Sequence, residues 1–250
     1  MITVKSPREL ELMSSAGKVV GAVLDMLRGR VVPGVSTWDL DREAEAFIRS
    51  HKGATPSFKG LYGFPATLCT SINAEVVHGI PSKTRVVEDG DIVSIDVGAC
   101  IGGLHADSAI TVVCGSVPEA TARLLDTTQQ ALRAGIAQAR DGAHVGDIGH
   151  AVQQVAEAAG YSVVRELVGH GIGTSFHEEP QVPNFGTRGK GPRLTRGMTI
   201  AIEPMINAGK PDIRTLGDKW TVVTADGSLS AHFEHTVAIT ENGARILTAA

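Results

Sequence analysis

A chain of 250 residues, 42% hydrophobic and 20% charged with a net charge of -4, has enough apolar matter for a large core and is not a disordered polymer. That balance gives no electrostatic case for broad nucleic-acid binding, so no specific DNA partner is expected, and no run of ~20 uninterrupted apolar residues is present to cross a membrane. Cys69, Cys100 and Cys114 are odd in number and lack metal-finger spacing, so they read as free thiols in a reducing compartment; Lys5, Arg8 and Glu9 precede any long apolar run, which is wrong for a signal peptide, and a cytoplasmic protein follows.

Ser6-Pro7-Arg8-Glu9 spells a capping box with proline at the first helical position, and Leu10, Met13, Val20, Leu24 and Leu27 continue it at helical spacing. A second helix is expected to start near Ser36 or Thr37 and to carry Leu40, Ala44, Phe47 and Ile48. From about Pro118 the plan repeats: Leu124, Leu125, Leu132 and Ile136 form one stripe, and Val152, Val155 and Ala156 another. The segment Gly34 to Leu40, with Asp39, matches Gly142 to Ile148, with Asp147, at one fixed offset. Strands follow each helix pair. Ile92 to Ala99 and Leu104 to Cys114 flank Gly102-Gly103; later come Thr199 to Glu203, Trp220 to Ala225 and one long strand from Ser228 to Ile239. Asp226-Gly227 reads as a hairpin between the last two, and Asn242-Gly243 marks a tight turn before Ala244 to Leu247. The fold class is α+β: internally duplicated helix pairs on antiparallel sheet with pseudo-two-fold symmetry, fused into one domain over 1–250 with pseudo-repeats of about 1–115 and 116–250.

Asp96, Asp107, His170, Glu203 and Glu234 each sit in or beside a strand-like or glycine-flanked stretch where acids are usually avoided. Four carboxylates and one imidazole suit a pair of hydrolytic divalent cations (Mn, Fe, Co or Zn) better than a structural zinc, which wants several cysteines. A hairpin turning at Ile101-Gly102 or Gly102-Gly103 puts Asp96 and Asp107 on one face of adjacent strands, directly opposite or two residues diagonal. Glu203 stands where Pro204 forces a strand to stop, and Glu234 lies in the long strand after the Asp226-Gly227 turn. His170 is enclosed by glycines, Gly169 and Gly171, that let backbone approach a ligand; no lysine follows in Walker spacing. Neither a His-Glu-x-x-His helix nor a Gly-x-Ser-x-Gly elbow occurs.

Taken in order, Ser71-Ile72-Asn73, His78-Gly79-Ile80-Pro81, Ile95-Asp96-Val97-Gly98, His105-Ala106-Asp107, Gly169-His170-Gly171-Ile172-Gly173, Ile202-Glu203-Pro204 and Phe233-Glu234-His235 span essentially the whole chain. In this order and spacing the sequence resembles the short bacterial methionine aminopeptidases, metallopeptidases with the "pita-bread" fold. The resemblance implies removal of the initiator methionine from nascent proteins and peptides, with a small second residue preferred. It implies that Asp96 chelates one metal, that Asp107 and Glu234 bridge both, and that His170 and Glu203 complete the second, with Glu203 also a proton shuttle. His78 and His177 match the family's two non-ligand histidines, expected to contact the peptide. The matching methionine pocket is Leu61, Phe64, Cys69, Phe176 and Trp220; many relatives have tyrosine where Leu61 and Phe64 stand. Asn73 and Ser230 resemble a monovalent-cation site. His51, His105, His144, His150, His232 and His235 read as ordinary surface or core imidazoles, with His105 and His235 near ligands.

The basic residues Arg188, Lys190, Arg193 and Arg196, with Lys210, Arg214 and Lys219, read first as a solvated face and second as a contact for ribosomal RNA. A monomer is expected. Two rival readings are a prolidase or Xaa-Pro-cleaving aminopeptidase of the same fold, and a non-catalytic pita-bread binding module.

Overall fold

Ser6 caps the first helix as its neighbours dictate: its hydroxyl accepts from the Glu9 amide while the Glu9 carboxylate accepts from the Ser6 amide at 2.7 Å. In the computed structural model, which describes residues 2–249, this opens α1 (Pro7–Arg28). Met1 and Ala250, the outermost residues of the expected single domain, lie outside the described residues. There follow α2 (Thr37–Ser50), β1 (Ala54–Pro56), β2 (Leu68–Ile72), β3 (Glu75–Val77), β4 (Ile92–Ile101) and β5 (Leu104–Val113). The second half runs α3 (Glu119–Gln138), α4 (Val145–Ala158), β6 (Ser162–Val163), β7 (Gly169–Gly171), β8 (Glu178–Val182), β9 (Thr199–Ile202), β10 (Met205–Asn207), β11 (Ile213–Thr215), β12 (Val222–Thr224), β13 (Ser230–His232), β14 (His235–Thr240) and β15 (Gly243–Ile246).

The matched segments behave alike. Gly34 and Gly142 both take left-handed backbone, and Asp39 and Asp147 each stand third in the helix that follows. Ser36 accepts from the Asp39 amide, and the His144 amide donates to Asp147 at 2.7 Å.

In the first half, β4 is the central strand, paired antiparallel with β5 on one edge and with β2 and β1 on the other. Val93, Ile95 and Val97 point into the core against Val20, Val23, Leu24 and Leu27 of α1. Burial of each such side chain is worth about 1.5–3 kcal/mol, so this face of β4 is locked inward, and a one-residue slip would swap it for the face bearing Asp96. In the second half a five-stranded antiparallel sheet runs β15-β14-β9-β7-β8, beside the smaller sheet β13-β10-β6; β3 crosses over to join β11 and β12. Among the described residues no helix is long and apolar enough to cross a membrane.

One expectation fails in an instructive way. Ser228 to Ile239 is not a single strand, and Asp226-Gly227 does not close a hairpin. β12 and β13 belong to different sheets, and the chain breaks at Phe233-Glu234 as it passes from β13 to β14. The cause is the other half of the molecule. At the break the Glu234 amide donates to the Ala109 carbonyl of β5 at 2.9 Å. Thr111 bridges to the backbone of His232 on one side, and Thr236 bridges to the backbone of Asp107 on the other. Those bonds satisfy polar groups that the corner removes from both ladders.

Candidate active site

The turn of the β4–β5 hairpin falls at Gly102-Gly103, both left-handed, so Asp96 pairs with Ala109 and Asp107 with Gly98. The two aspartates are therefore diagonal on one face, the second of the two registers expected. Cys69 of β2 lies opposite Asp96 on that face. The corner at Phe233-Glu234 brings the Glu234 carboxylate to Asp107. His170 arrives on β7, where the glycines serve a purpose other than the one expected: a Cβ at Gly169 would meet the Ala201 carbonyl oxygen at 2.4 Å, and one at Gly171 that of Glu179 at 2.2 Å. They let β7 fit between its neighbouring strands. Glu203 projects from the end of β9, where Pro204 follows.

Ligand-capable atoms of Asp107, His170 and Glu234 lie within 4.8 Å of one another, and all three residues are buried. His170 Nε2 is 3.7 Å from Glu203 Oε1 and 4.0 Å from Asp107 Oδ2. Its Nδ1 lies 2.8 Å from the Gly171 carbonyl oxygen; donating there leaves Nε2 with a free lone pair aimed at the acids. Buried oxygens of Asp96, Asp107 and Glu234 have no hydrogen-bond partner. Such a cluster is unstable as bare anions. Burial lifts the Asp96 carboxyl to about 7. Burial first, and then the neighbouring carboxylates, push Asp107, Glu203 and Glu234 well above the usual range. Burial also lowers His170 to about 4, so its imidazole is neutral and able to ligate. Orphaned oxygens, a neutral nitrogen and clustered negative charge fit divalent cations.

Above this floor lies a cavity of about 150 Å³ lined by every residue expected at the site: Leu61, Phe64, Cys69, His78, Asp96, Asp107, His170, Phe176, His177, Glu203, Trp220 and Glu234. Phe64 meets Trp220 edge to face at 5.1 Å, and Phe58 meets Phe176 likewise at 5.2 Å. Gly98 is needed beneath them, because a Cβ there would come within 2.9 Å of Phe176 and of Ser57. The Cys69 thiol is held protonated by burial and by the charge of Asp96. His78 has left-handed backbone (φ 60), and burial, then His177, lowers it to about 4. His177 stands at the mouth beside Glu178, whose carboxylate takes the buried Lys5 ammonium at 2.6 Å and the Thr3 hydroxyl at 2.6 Å. Burial alone would raise Glu178, but those bonds, with the Ser175 amide, hold it below the usual range.

Sequence reasoning missed Phe58 and Tyr62, which also line the cavity. It also undervalued His232, which is 1% exposed with both ring nitrogens unpartnered and Nε2 3.9 Å from Glu203. The Gly60-x-x-Gly63 bracket was the one signal for Tyr62. His105 bonds Ser57 at 2.8 Å and His235 bonds Thr248 at 2.9 Å. The Asn73 side chain is committed to Asp91 and the Ile92 amide, and its carbonyl accepts from the Ser230 amide at 2.9 Å. The seven basic residues are exposed, with Arg196 paired to Glu241 at 2.9 Å. A larger cleft of 320 Å³ between α1 and α3 also reaches Glu234, but it lacks the other acids and the aromatic wall.

The model of metallopeptidase family M24 matches residues 11–241. A methionine aminopeptidase of Clostridium perfringens is 53% identical over 248 residues, covering 99% of each chain. The crystal structure of a methionine aminopeptidase from Thermotoga maritima superposes with a TM-score of 0.98 at 44% identity over all of both chains. A Pyrococcus horikoshii prolidase shares the fold alone, with a TM-score of 0.80 at 22% identity, and this chain covers 63% of it. The chain belongs to metallopeptidase family M24, on the methionine aminopeptidase branch, and has the pita-bread fold. Divalent-metal use comes with that membership, and the Asp107–His170–Glu234 cluster can hold an ion. Neither rival reading of the sequence is favoured.

Proposed function

We propose that the chain removes the N-terminal methionine from nascent polypeptides and peptides, preferring a small second residue, as a monomeric cytoplasmic metallo-aminopeptidase. What supports this is one juxtaposition: the acid floor and the aromatic wall share a single small cavity. Asp96, Asp107, His170, Glu203 and Glu234 would hold two divalent ions of Mn, Fe, Co or Zn. Bound cations supply a water of lowered pKa, polarise the scissile carbonyl and anchor the free amine.

The protein's own groups do the rest. Leu61, Phe64, Phe176, Trp220 and Cys69 pack around the methionine side chain, whose thioether sits well on aromatic edges. His78 and His177 donate to the peptide as charge develops on its carbonyl oxygen. Glu203, whose carboxyl readily takes a proton, carries it from the attacking water to the leaving amine. Backbone oxygen at Asn73, with Ser230 beside it, offers a place for a monovalent cation. The exposed run Arg188, Lys190, Arg193 and Arg196, with Lys210, Arg214 and Lys219, would meet ribosomal RNA. The whole works as one catalytic domain of two pseudo-repeats, about 1–115 and 116–250.

The test is release of methionine from a Met-Ala peptide by purified protein with excess Mn²⁺ or Co²⁺, set against an Xaa-Pro peptide. Cleavage of the Met-Ala peptide alone is expected; preference for Xaa-Pro would replace this reading with the prolidase one. Charge reversal at several of the basic positions is expected to lower ribosome co-sedimentation, and unchanged sedimentation would remove that contact.

A further inference from the structure

Tyr62 stands in a loop that the chain bends hard to make. Gly60 and Gly63 take left-handed backbone, as glycine does freely, but Tyr62 between them does so too, at φ 51. A bulky residue is disfavoured there and persists only when the surroundings hold it. The side chain is 72% exposed, so burial does not supply the reason.

The reason is His177. The two rings stack at 5.7 Å between centroids with 10° between their planes, and the Tyr62 hydroxyl lies 3.3 Å from His177 Nδ1. The imidazole already meets His170 and Phe176 edge to face, at 4.4 Å and 4.8 Å. Tyr62 stacks on the imidazole and engages one of its two nitrogens. A phenol donating to Nδ1 fixes the other nitrogen, Nε2, as the one that carries hydrogen.

We propose that Tyr62 is the positioning residue of this active site: by stacking on His177 and donating to Nδ1 it sets the ring's orientation and tautomer, so that Nε2–H faces the substrate. This rests on His177 being the peptide-contacting donor proposed above. Tyr62 does not itself touch the reacting bond. Loss of its hydroxyl alone is therefore expected to lower turnover through His177 while leaving metal binding as it was and the ring in place at the cavity wall.

Tyr62→Phe keeps the stack and loses the hydroxyl; on a Met-Ala-Ser peptide it is expected to lower kcat about fivefold, the size of one neutral hydrogen bond, with KM unchanged. Tyr62→Ala is expected to lose more, and Tyr62→His, which retains a flat ring with an N–H, to recover part of the loss. In a His177→Ala background Tyr62→Phe is expected to change nothing. Nitrogen-15 spectra of the full zinc-loaded chain are expected to show His177 protonated at Nε2, and a mixture of tautomers in Tyr62→Phe. Equal losses in both backgrounds, an effect confined to KM, or a hydrogen on Nδ1 in the unsubstituted protein would each overturn the proposal. A chain that released no methionine at all would sink the reading of the site, while the nitrogen spectra would still decide the role of Tyr62.

Discussion

The floor of the cavity and its rim are built on opposite principles. The floor gathers Asp96, Asp107, Glu203 and Glu234 in a place that pushes every one of their proton affinities up, so it is costly until a cation compensates it. The rim is ordinary packing: Phe64 meets Trp220 edge to face, Phe58 meets Phe176 likewise, and Leu61 lies beside them, as in any core. One region is costly to fold, and the other, proposed above to select methionine, carries no such cost. Substitutions in the two should therefore fail differently.

The largest effect is expected from the floor. Asp107→Ala or Glu234→Ala should lower kcat/KM by about a thousandfold or more, beyond the loss of a single transition-state donor, and weaken metal binding with it. Calorimetric titration with Mn²⁺ finding two intact tight sites in Asp107→Ala would contradict the ligand assignment.

Metal-free protein sharpens the contrast. There the folded Asp96 keeps a proton up to about 7, whereas an unfolded aspartate loses it near 3.8. The other three acids are displaced in the same direction. His78, His170 and His232, lowered to about 4, 4 and 3 from 6.5, act oppositely, as do His105, His177 and His235, which burial also lowers, but mostly below 6.5. Above that pH the folded state binds more protons than the unfolded one, so stability falls as pH rises through 7. The melting midpoint of chelated protein is expected to drop by several degrees from pH 6.5 to 8, since each kcal/mol moves it about 2–4 °C in a chain this size. Added Mn²⁺ should restore more at pH 8 than at 6.5. A midpoint flat across that range would show that the floor needs no cation.

The rim should give the smallest change. Leu61→Ala is expected to raise KM for a methionine peptide about fivefold, the worth of a little lost apolar contact, with kcat and metal affinity unchanged. A fall in kcat instead would mean that the wall also aligns the scissile bond.

How well each part could be read from sequence follows from how local its cause is. Asp96 and Asp107 were placed by alternation and a Gly-Gly turn, both properties of one hairpin. The helix starts at Ser6 and Ser36 were equally local. Glu234 stands out in the sequence as a ligand candidate, and the fold brings it to Asp107 and His170, but on a corner rather than in one long strand. The corner that aims it comes from hydrogen bonds to Ala109, Thr111 and Asp107 in the other half, and nothing in Ser228 to Ile239 alone marks a break. The glycines around His170 were noticed for a reason the strands do not support; they answer to the neighbours of β7. Tyr62 and His232 were passed over because a side chain's importance there lies in what faces it across the fold.

The clasp of Thr3 and Lys5 on Glu178 ties the first residues of the chain to the position next to His177. The opening segment is thus a stay for the cleft mouth rather than a loose end. Fraying it would slacken the loop that carries the histidine, and the injury would register as slower turnover well before either sheet came apart.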